Sequence, residues 1–245
     1  MLTIERHNTI LRLLEIHEII TLQMLVEETD CSESTIRRDL STLEAEGKLV
    51  RIHGGAKKVT EKHKDIALSV KSTKKTKEKE EIAKIAAAQV RHHDCIYLDA
   101  GSSTLMMIPY LNQQGITIVT NGLTHVPPLV EKGYEVYMIG GYIKHDTHAS
   151  IGVQAIESLK QFRFDKAFMG ANGVHKVHGI TTPDIEEAYI KRKAIEKAEQ
   201  IYFLVDDSKF DEITFAKVAD LQEERTILIT NRDNALQEVY HKYLI

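Results

Sequence analysis

From Glu81 onward, short apolar runs rich in β-branched residues alternate with longer amphipathic stretches, and this alternation narrows the fold more than any other feature of the chain. Six runs read as strands: Cys95–Leu98, Ile116–Thr120, Glu135–Ile139, Lys166–Met169, Ile201–Val205 and Thr226–Ile229. Helical spacing falls near Glu80–Val90, Thr104–Asn112, Val153–Lys160, Ile185–Ala198 and Asn234–Tyr240. Parallel neighbours in a sheet need long crossovers, and helices supply them. Residues 81–245 are therefore expected to form a mainly parallel α/β domain.

The chain before this region reads differently. Residues 1–58 show three short helical stripes that end in a Gly-Gly turn. Residues 59–80 show no apolar period beyond Ile66, Leu68 and Val70, and read as a basic linker. Between Gly47 and Lys79, eleven Lys and Arg residues face three acidic ones, although the whole chain carries a net charge of −4. A local basic patch points to an anionic partner that the mean charge hides. At 245 residues, two domains of unequal size are natural. The two cysteines, Cys31 and Cys95, are too few for a disulfide framework and wrongly spaced for zinc. The first residues lack the basic-then-apolar pattern of a signal peptide, and no apolar run is long enough to span a bilayer. A reduced, cytoplasmic setting is expected.

In the N-terminal part, Ile10, Leu11 and Leu14 mark a first helix with Thr3 as a potential N-cap. Leu22, Leu25 and Val26 mark a second after Thr21, and Asp30-Cys31-Ser32 interrupts the pattern. A third begins after Ser32 and stops at Gly47. Burying Ile36, Leu40 and Leu43 turns Ser34, Arg38 and Ser41 outward, with Thr35 and Arg37 beside them. Two short helices and a tight turn make a helix-turn-helix, and hydroxyls with arginines on the outer face suit a major groove. Lys48–Ile52 alternates like a strand and enters His53-Gly54-Gly55, a wing that brings Arg51 and His53 near the DNA backbone. A small helical bundle with a solvated arginine pair satisfies the same periodicity.

The residues themselves decide further. Ser32-Glu33-Ser34-Thr35-Ile36-Arg37-Arg38-Asp39-Leu40, followed by Leu49-Val50-Arg51-Ile52-His53-Gly54-Gly55-Ala56, closely resembles the signature of DeoR-type bacterial repressors. Cys31 stands where such proteins more often carry valine. The resemblance implies a winged helix-turn-helix of about sixty residues, with Ser34, Thr35, Arg37 and Arg38 facing operator DNA. It also implies a homo-oligomer on a repeated or palindromic site. Asp39 would be unfavourable beside a phosphate, so it is expected to pair with an arginine or to hold the helix.

In the α/β region, chemistry gathers at the strand ends. Asp99 closes the first strand, and Ala100-Gly101-Ser102-Ser103-Thr104 leads into a helix. Backbone N–H groups and hydroxyls at such a turn suit an anion; an ordinary turn with a capping serine reads the same. Thr120-Asn121, Gly140-Gly141, Gly170-Ala171-Asn172 and Asp206-Asp207-Ser208-Lys209 close later strands. Ligands of open α/β sheets bind outside these ends. For Gly140 and Gly141, tight turns suffice. Glu187 and Lys191 are expected to pair at i, i+4 on a helix that Asp184 opens.

This series is similar to the effector domain of the same family, which is related in fold to sugar-phosphate isomerases. The resemblance implies a phosphorylated sugar, with phosphate at Gly101, Ser102, Ser103 and Thr104. The strand end Thr120 and the residues Asp99, Asn121, Asn172 and Lys209 would meet the sugar. The stretch from Gly179 to Arg192, which carries Glu187 and Lys191, looks similar to the fructose-operon branch and implies fructose 1-phosphate as first candidate. The alternative is an isomerase with an accessory DNA-binding domain. The related enzymes carry an acidic cluster where this chain reads Gly170-Ala171-Asn172-Gly173, so binding without catalysis is expected. No cofactor is expected, nor a metal at His92-His93-Asp94 or His145 and His148, which lack a third convergent ligand.

Overall fold

The computed structural model describes residues 2–17, 19–46, 48–52, 54–58, 67–221, 225–231, 240 and 243–244. The chain divides into two units, Met1–Glu61 and Lys62–Ile245. In the first, α1 (Thr3–His17), β1 (Ile19–Thr21), α2 (Leu22–Thr29), α3 (Glu33–Ala45), β2 (Leu49–Ile52) and β3 (Gly55–Lys58) follow in order. The three strands form an antiparallel sheet in the order β1-β3-β2. Thr21 caps α2 through a bond from the Met24 N–H, 3.2 Å long, and Asp30 ends it in the left-handed region at φ 51°. Gly55 is required where β3 meets β1: a Cβ there would lie 2.0 Å from the Ile20 carbonyl oxygen. Ile10, Leu14, Ile20, Leu25, Ile36, Leu40 and Leu43 fill one core.

A charge is buried beside that core. Asp39 on α3 accepts bonds from Arg6 on α1, one of them 2.9 Å long, and lies 3.1 Å from His7 Nε2. The arginine partner expected for Asp39 is thus on a different helix. Burial raises the Asp39 pKa, but the bonds and charges of Arg6 and His7 outweigh it and hold the carboxyl below its ordinary value.

The second unit contains α4 (Leu68–Thr73), α5 (Thr76–Ala88), β4 (Cys95–Leu98), α6 (Ser102–Met107), β5 (Thr117–Thr120), α7 (Val126–Glu131), β6 (Glu135–Met138), β7 (Tyr142–Ile143) and β8 (Ser150–Ile151). It continues with α8 (Val153–Leu159), β9 (Phe164–Gly170), β10 (Gly173–His175), β11 (Gly179–Thr182), α9 (Ile185–Lys197), β12 (Ala198–Leu204), β13 (Ala216–Ala219) and β14 (Thr226–Ile229). The main sheet runs β14-β12-β9-β4-β5-β6 and is parallel throughout. Alternate residues face opposite layers. Ile96 and Leu98 join Ile82, Ala86 and Met107 from α5 and α6. Tyr97, Ala167 and Phe203 join Ala155 and Leu159 of α8 and Ala188 and Ile195 of α9. Helices thus cover both faces, as a parallel sheet demands. A small antiparallel sheet, β10-β11-β13, and the hairpin β7-β8 stand beside it.

The structure departs from the periodicity in two respects. The stretch read as a linker contains α4 and the start of α5, whose short apolar pattern becomes legible only through what it packs against. The strands β1, β7, β8 and β10 have two or three residues, too few for alternation to show, and β11 and β13 have four but only one large apolar residue each, Ile180 and Val218. The helix expected at Asn234–Tyr240 falls almost wholly outside the described residues, as does the stop at Gly47.

Asp39→Asn removes the carboxylate charge that the buried Arg6 guanidinium meets. It should lower the stability of the first unit by about 3 kcal/mol, read from circular dichroism at increasing urea. In the wild type this contribution is present above the unfolded carboxyl pKa of about 3.9 and fades as pH falls through the lower folded value.

Candidate functional site

The outer face of α3 is built by a cap and a tie. Ser32 caps the helix, its Oγ accepting from the Thr35 N–H and lying 3.0 Å from Ser34 Oγ. With Ile36, Leu40 and Leu43 buried, Ser34, Arg37, Arg38 and Ser41 are exposed and Thr35 half-buried. Arg37 donates to Glu33 at 3.0 Å, an exposed i, i+4 pair of small energetic weight. The Arg38 guanidinium makes no bond among the described residues and is free to meet a partner. Arg51 of β2 donates from Nη1 to Ser41 Oγ, 2.8 Å away, and its backbone N–H donates to Glu44. The wing strand and α3 therefore share one face. His53 lies outside the described residues. Glu33 and Glu44 were not singled out from the sequence, although Glu33 stands four residues before Arg37.

The second site lies where the main sheet reverses its winding. From β4 the chain builds outward to β5 and β6, then crosses back to β9, β12 and β14. Asp99 follows β4 at this switch point and is 2% exposed. Its Oδ2 accepts from the Lys191 ammonium on α9 and from the Gly170 N–H at 3.3 Å. Its Oδ1 makes no bond among the described residues. The i, i+4 pair expected between Glu187 and Lys191 is therefore corrected: Lys191 reaches across the layer to Asp99. Glu187 instead accepts from Lys144 at 3.1 Å and from Thr147 at 2.9 Å. Lys144 also pairs with Asp184 at 2.8 Å, and Asp184 caps α9 through the Glu186 and Glu187 N–H groups.

The loop after β4 is held from within. Thr104 donates to the Asp99 carbonyl (2.6 Å), and Asn121 Oδ1 accepts from the Ala100 N–H (2.7 Å). Thr104 and Asn121 thus position the loop. Thr120 is buried, and its Oγ1 accepts from the Gly122 N–H. The hydroxyls of Ser102 and Ser103, both in residues more than nine-tenths buried, make no bond among the described residues. Together with Gly101 they stand at the start of α6. His125 Nε2 lies 3.1 Å from Thr104 Oγ1, whose hydroxyl also reaches the carbonyls of Asp99 and Gly101. Burial pushes the His125 pKa down to about 4 and keeps the ring neutral. Asn172 Oδ1 accepts from Thr182, and Lys209 stands half-buried beyond Asp206, whose carboxylate accepts from Ser208. A surface cleft lined by Leu111, Gln113, Lys132 and Tyr134 opens at the opposite, N-terminal edge of β5 and β6.

His125, Lys144 and Thr147 escaped the sequence reading. Each is a single polar residue in an irregular stretch, without a period or motif to mark it.

The DeoR-like helix-turn-helix domain family matches residues 6–62, and the DeoR C terminal sensor domain family matches residues 74–232. Over 243 residues the chain is 44% identical to an uncharacterized HTH-type transcriptional regulator FruR of Bacillus subtilis (strain 168), covering 99% of this chain and 96% of that protein. Over 244 residues it is 32% identical to the lactose phosphotransferase system repressor of Staphylococcus aureus (strain NCTC 8325 / PS 47), covering 98% and 97%. Ribose 5-phosphate isomerase a of Methanocaldococcus jannaschii aligns over 54% of this chain and 53% of its own, at 17% identity and a TM-score of 0.41, a likeness too slight to carry an argument.

All nine tyrosines lie in the second unit, so tyrosine fluorescence reports its unfolding alone. Lys191→Met should destabilise that unit by about 3 kcal/mol, and adding Asp99→Asn should recover much of the loss. The neutral state of His125 adds stability above the unfolded histidine value near 6.5 and loses it as pH falls toward its own value of about 4. The second unit should therefore weaken by about 3 kcal/mol between about pH 7 and pH 4, a slope that His125→Gln flattens.

Proposed function

Because the chain belongs to the DeoR family of helix-turn-helix regulators, we propose that it is a DNA-binding transcriptional repressor of a sugar-utilisation operon, released by a phosphorylated sugar. The observation that carries this reading is the outer face of α3, where Ser34, Arg37, Arg38 and Ser41 stand exposed on a capped helix tied to Arg51. In a major groove, the free Arg38 fork suits a guanine edge. Arg37 and Arg51, already held by neighbours, suit phosphates, as do Thr35 and His53. A symmetric homo-oligomer places two such helices on a repeated operator. The regulator acts in the cytoplasm, where that DNA is.

The effector occupies the crevice at the switch point. Its phosphate meets Gly101 and the unpaired hydroxyls of Ser102 and Ser103, with Lys209 as counter-charge. Its sugar hydroxyls meet Asp99 Oδ1 and Asn172, while Thr104, Thr120, Asn121, Glu187 and Lys191 hold the walls. Fructose 1-phosphate is the first candidate, supported by the identity to the Bacillus subtilis protein named FruR. Binding changes the grip on DNA only if the DNA-bound and free states differ in effector affinity. An isomerase would need a positioned carboxylate base at the end of β9, where Gly170, Ala171 and Asn172 stand.

The test is fluorescence anisotropy on labelled DNA from the gene's own upstream region at fixed salt. Fructose 1-phosphate should release the protein and fructose should not; release by neither overturns this effector. The double variant Arg37→Ala/Arg38→Ala should lower operator affinity by at least about 100-fold with an unchanged circular dichroism spectrum. A folded double variant that binds normally overturns the DNA reading.

A further inference from the structure

The rim of the crevice carries a buried cation that the reading above leaves unused. Lys79 on α5 is 5% exposed. Its ammonium donates to the carbonyl oxygens of Lys71 and Lys74, the latter 2.7 Å away. These carbonyls belong to the C-terminal end of α4, where a helix lacks internal partners and attracts positive charge. Lys79 therefore caps α4 from the neighbouring helix. Burial lowers its pKa, while Asp206 and Glu78 favour the charged form against Lys209 and Lys71.

The other supports of α4 converge on the same crevice. At its N-terminal end, the Leu68 N–H donates to the Asp146 carbonyl at 2.8 Å, and the Leu68 side chain is buried. Asp146 lies in the loop whose Lys144 and Thr147 hold Glu187, one turn from Lys191. Just past its C-terminal end, Lys75 pairs with Asp207 at 3.1 Å, in the loop that carries Asp206 and Lys209. In between, α4 packs on α6, the helix of Ser102 and Ser103. Three walls of the crevice thus support a helix of six residues, and α4 is the first described element after the residues that lead out of the first unit.

We propose that α4 passes occupancy of the crevice to the DNA-binding part of the chain, and that Lys79 is the positioning residue that sets it. This rests on the reading of the crevice as an effector site. A helix this short does not hold by itself. A ligand that shifts α6, the 144–149 loop or the 206–209 loop removes one of its supports, and α4 responds as a unit.

The experiment uses the full chain and three readouts: operator affinity alone, fructose 1-phosphate affinity by calorimetry, and operator affinity at saturating fructose 1-phosphate. The wild type should lose at least about 10-fold in operator affinity with ligand. Lys79→Met should keep operator binding within about 3-fold and still bind the ligand, yet change its operator affinity less than about 2-fold when saturated. Lys79→Arg should restore most of the response. Lys75→Ala, an exposed change that leaves folding intact, should weaken the response in the same direction. A wild-type response in both Lys79→Met and Lys75→Ala overturns the proposal; if Lys79→Met fails to fold, Lys75→Ala alone decides. A wild type that binds no fructose 1-phosphate overturns instead the effector assignment on which the proposal stands.

Discussion

A parallel sheet wound outward in both directions from a central pair must open where the winding reverses, and the second unit is organised around that opening. β4 and β9 lie side by side, but the chain leaves them toward opposite edges. Among the described residues, the connections from β4 to β5 and from β9 to β12 diverge and leave their C-terminal ends uncovered by a crossover. The loops that emerge there carry Asp99, Ser102, Ser103 and Asn172, and the helix α9 brings Lys191 down onto Asp99 from the opposite layer. The place of the crevice follows from topology. Its polarity follows from the groups that the strand ends release.

Both units solve the same electrostatic problem in the same way. A carboxylate buried among apolar side chains costs free energy unless a cation and further donors meet it. In the first unit Arg6 meets Asp39 across two helices. In the second, Lys191 meets Asp99 between helix and sheet, and Lys166 meets Asp94 at 2.5 Å at the opposite edge. Each pair joins elements far apart in the chain, so each specifies an arrangement as well as contributing to stability. The pair at Asp99 has a second consequence, because it sits in the crevice and leaves one carboxylate oxygen open.

The architecture was legible where periodicity runs long enough. The six strands of the main sheet, α8 and α9 stand within two or three residues of the positions their patterns indicate. The spacing of Ile36, Leu40 and Leu43 was sufficient to say which face of α3 turns outward. The loop at Gly101 and Ser102 was legible because strand, small residues and helix follow one another directly. The partners were not. Glu187 and Lys191 are four residues apart and read as a surface pair, yet each reaches a residue more than forty positions away. Thr104 looks like a third ligand hydroxyl and instead holds its own loop.

What the sequence determined by itself is therefore local: the helix faces, the order of strands and helices, the family signature around Arg37 and Arg38, and the basic character of the stretch before Glu81. These depend on neighbours within a turn or a strand pair. Tertiary structure alone decided which charges meet, which hydroxyls remain unpaired, and that residues 68–73 form a helix held by Lys79 and by the rim of the crevice. Those outcomes depend on burial and on contacts between distant segments, and a charge chooses its partner only after folding has removed the water around it.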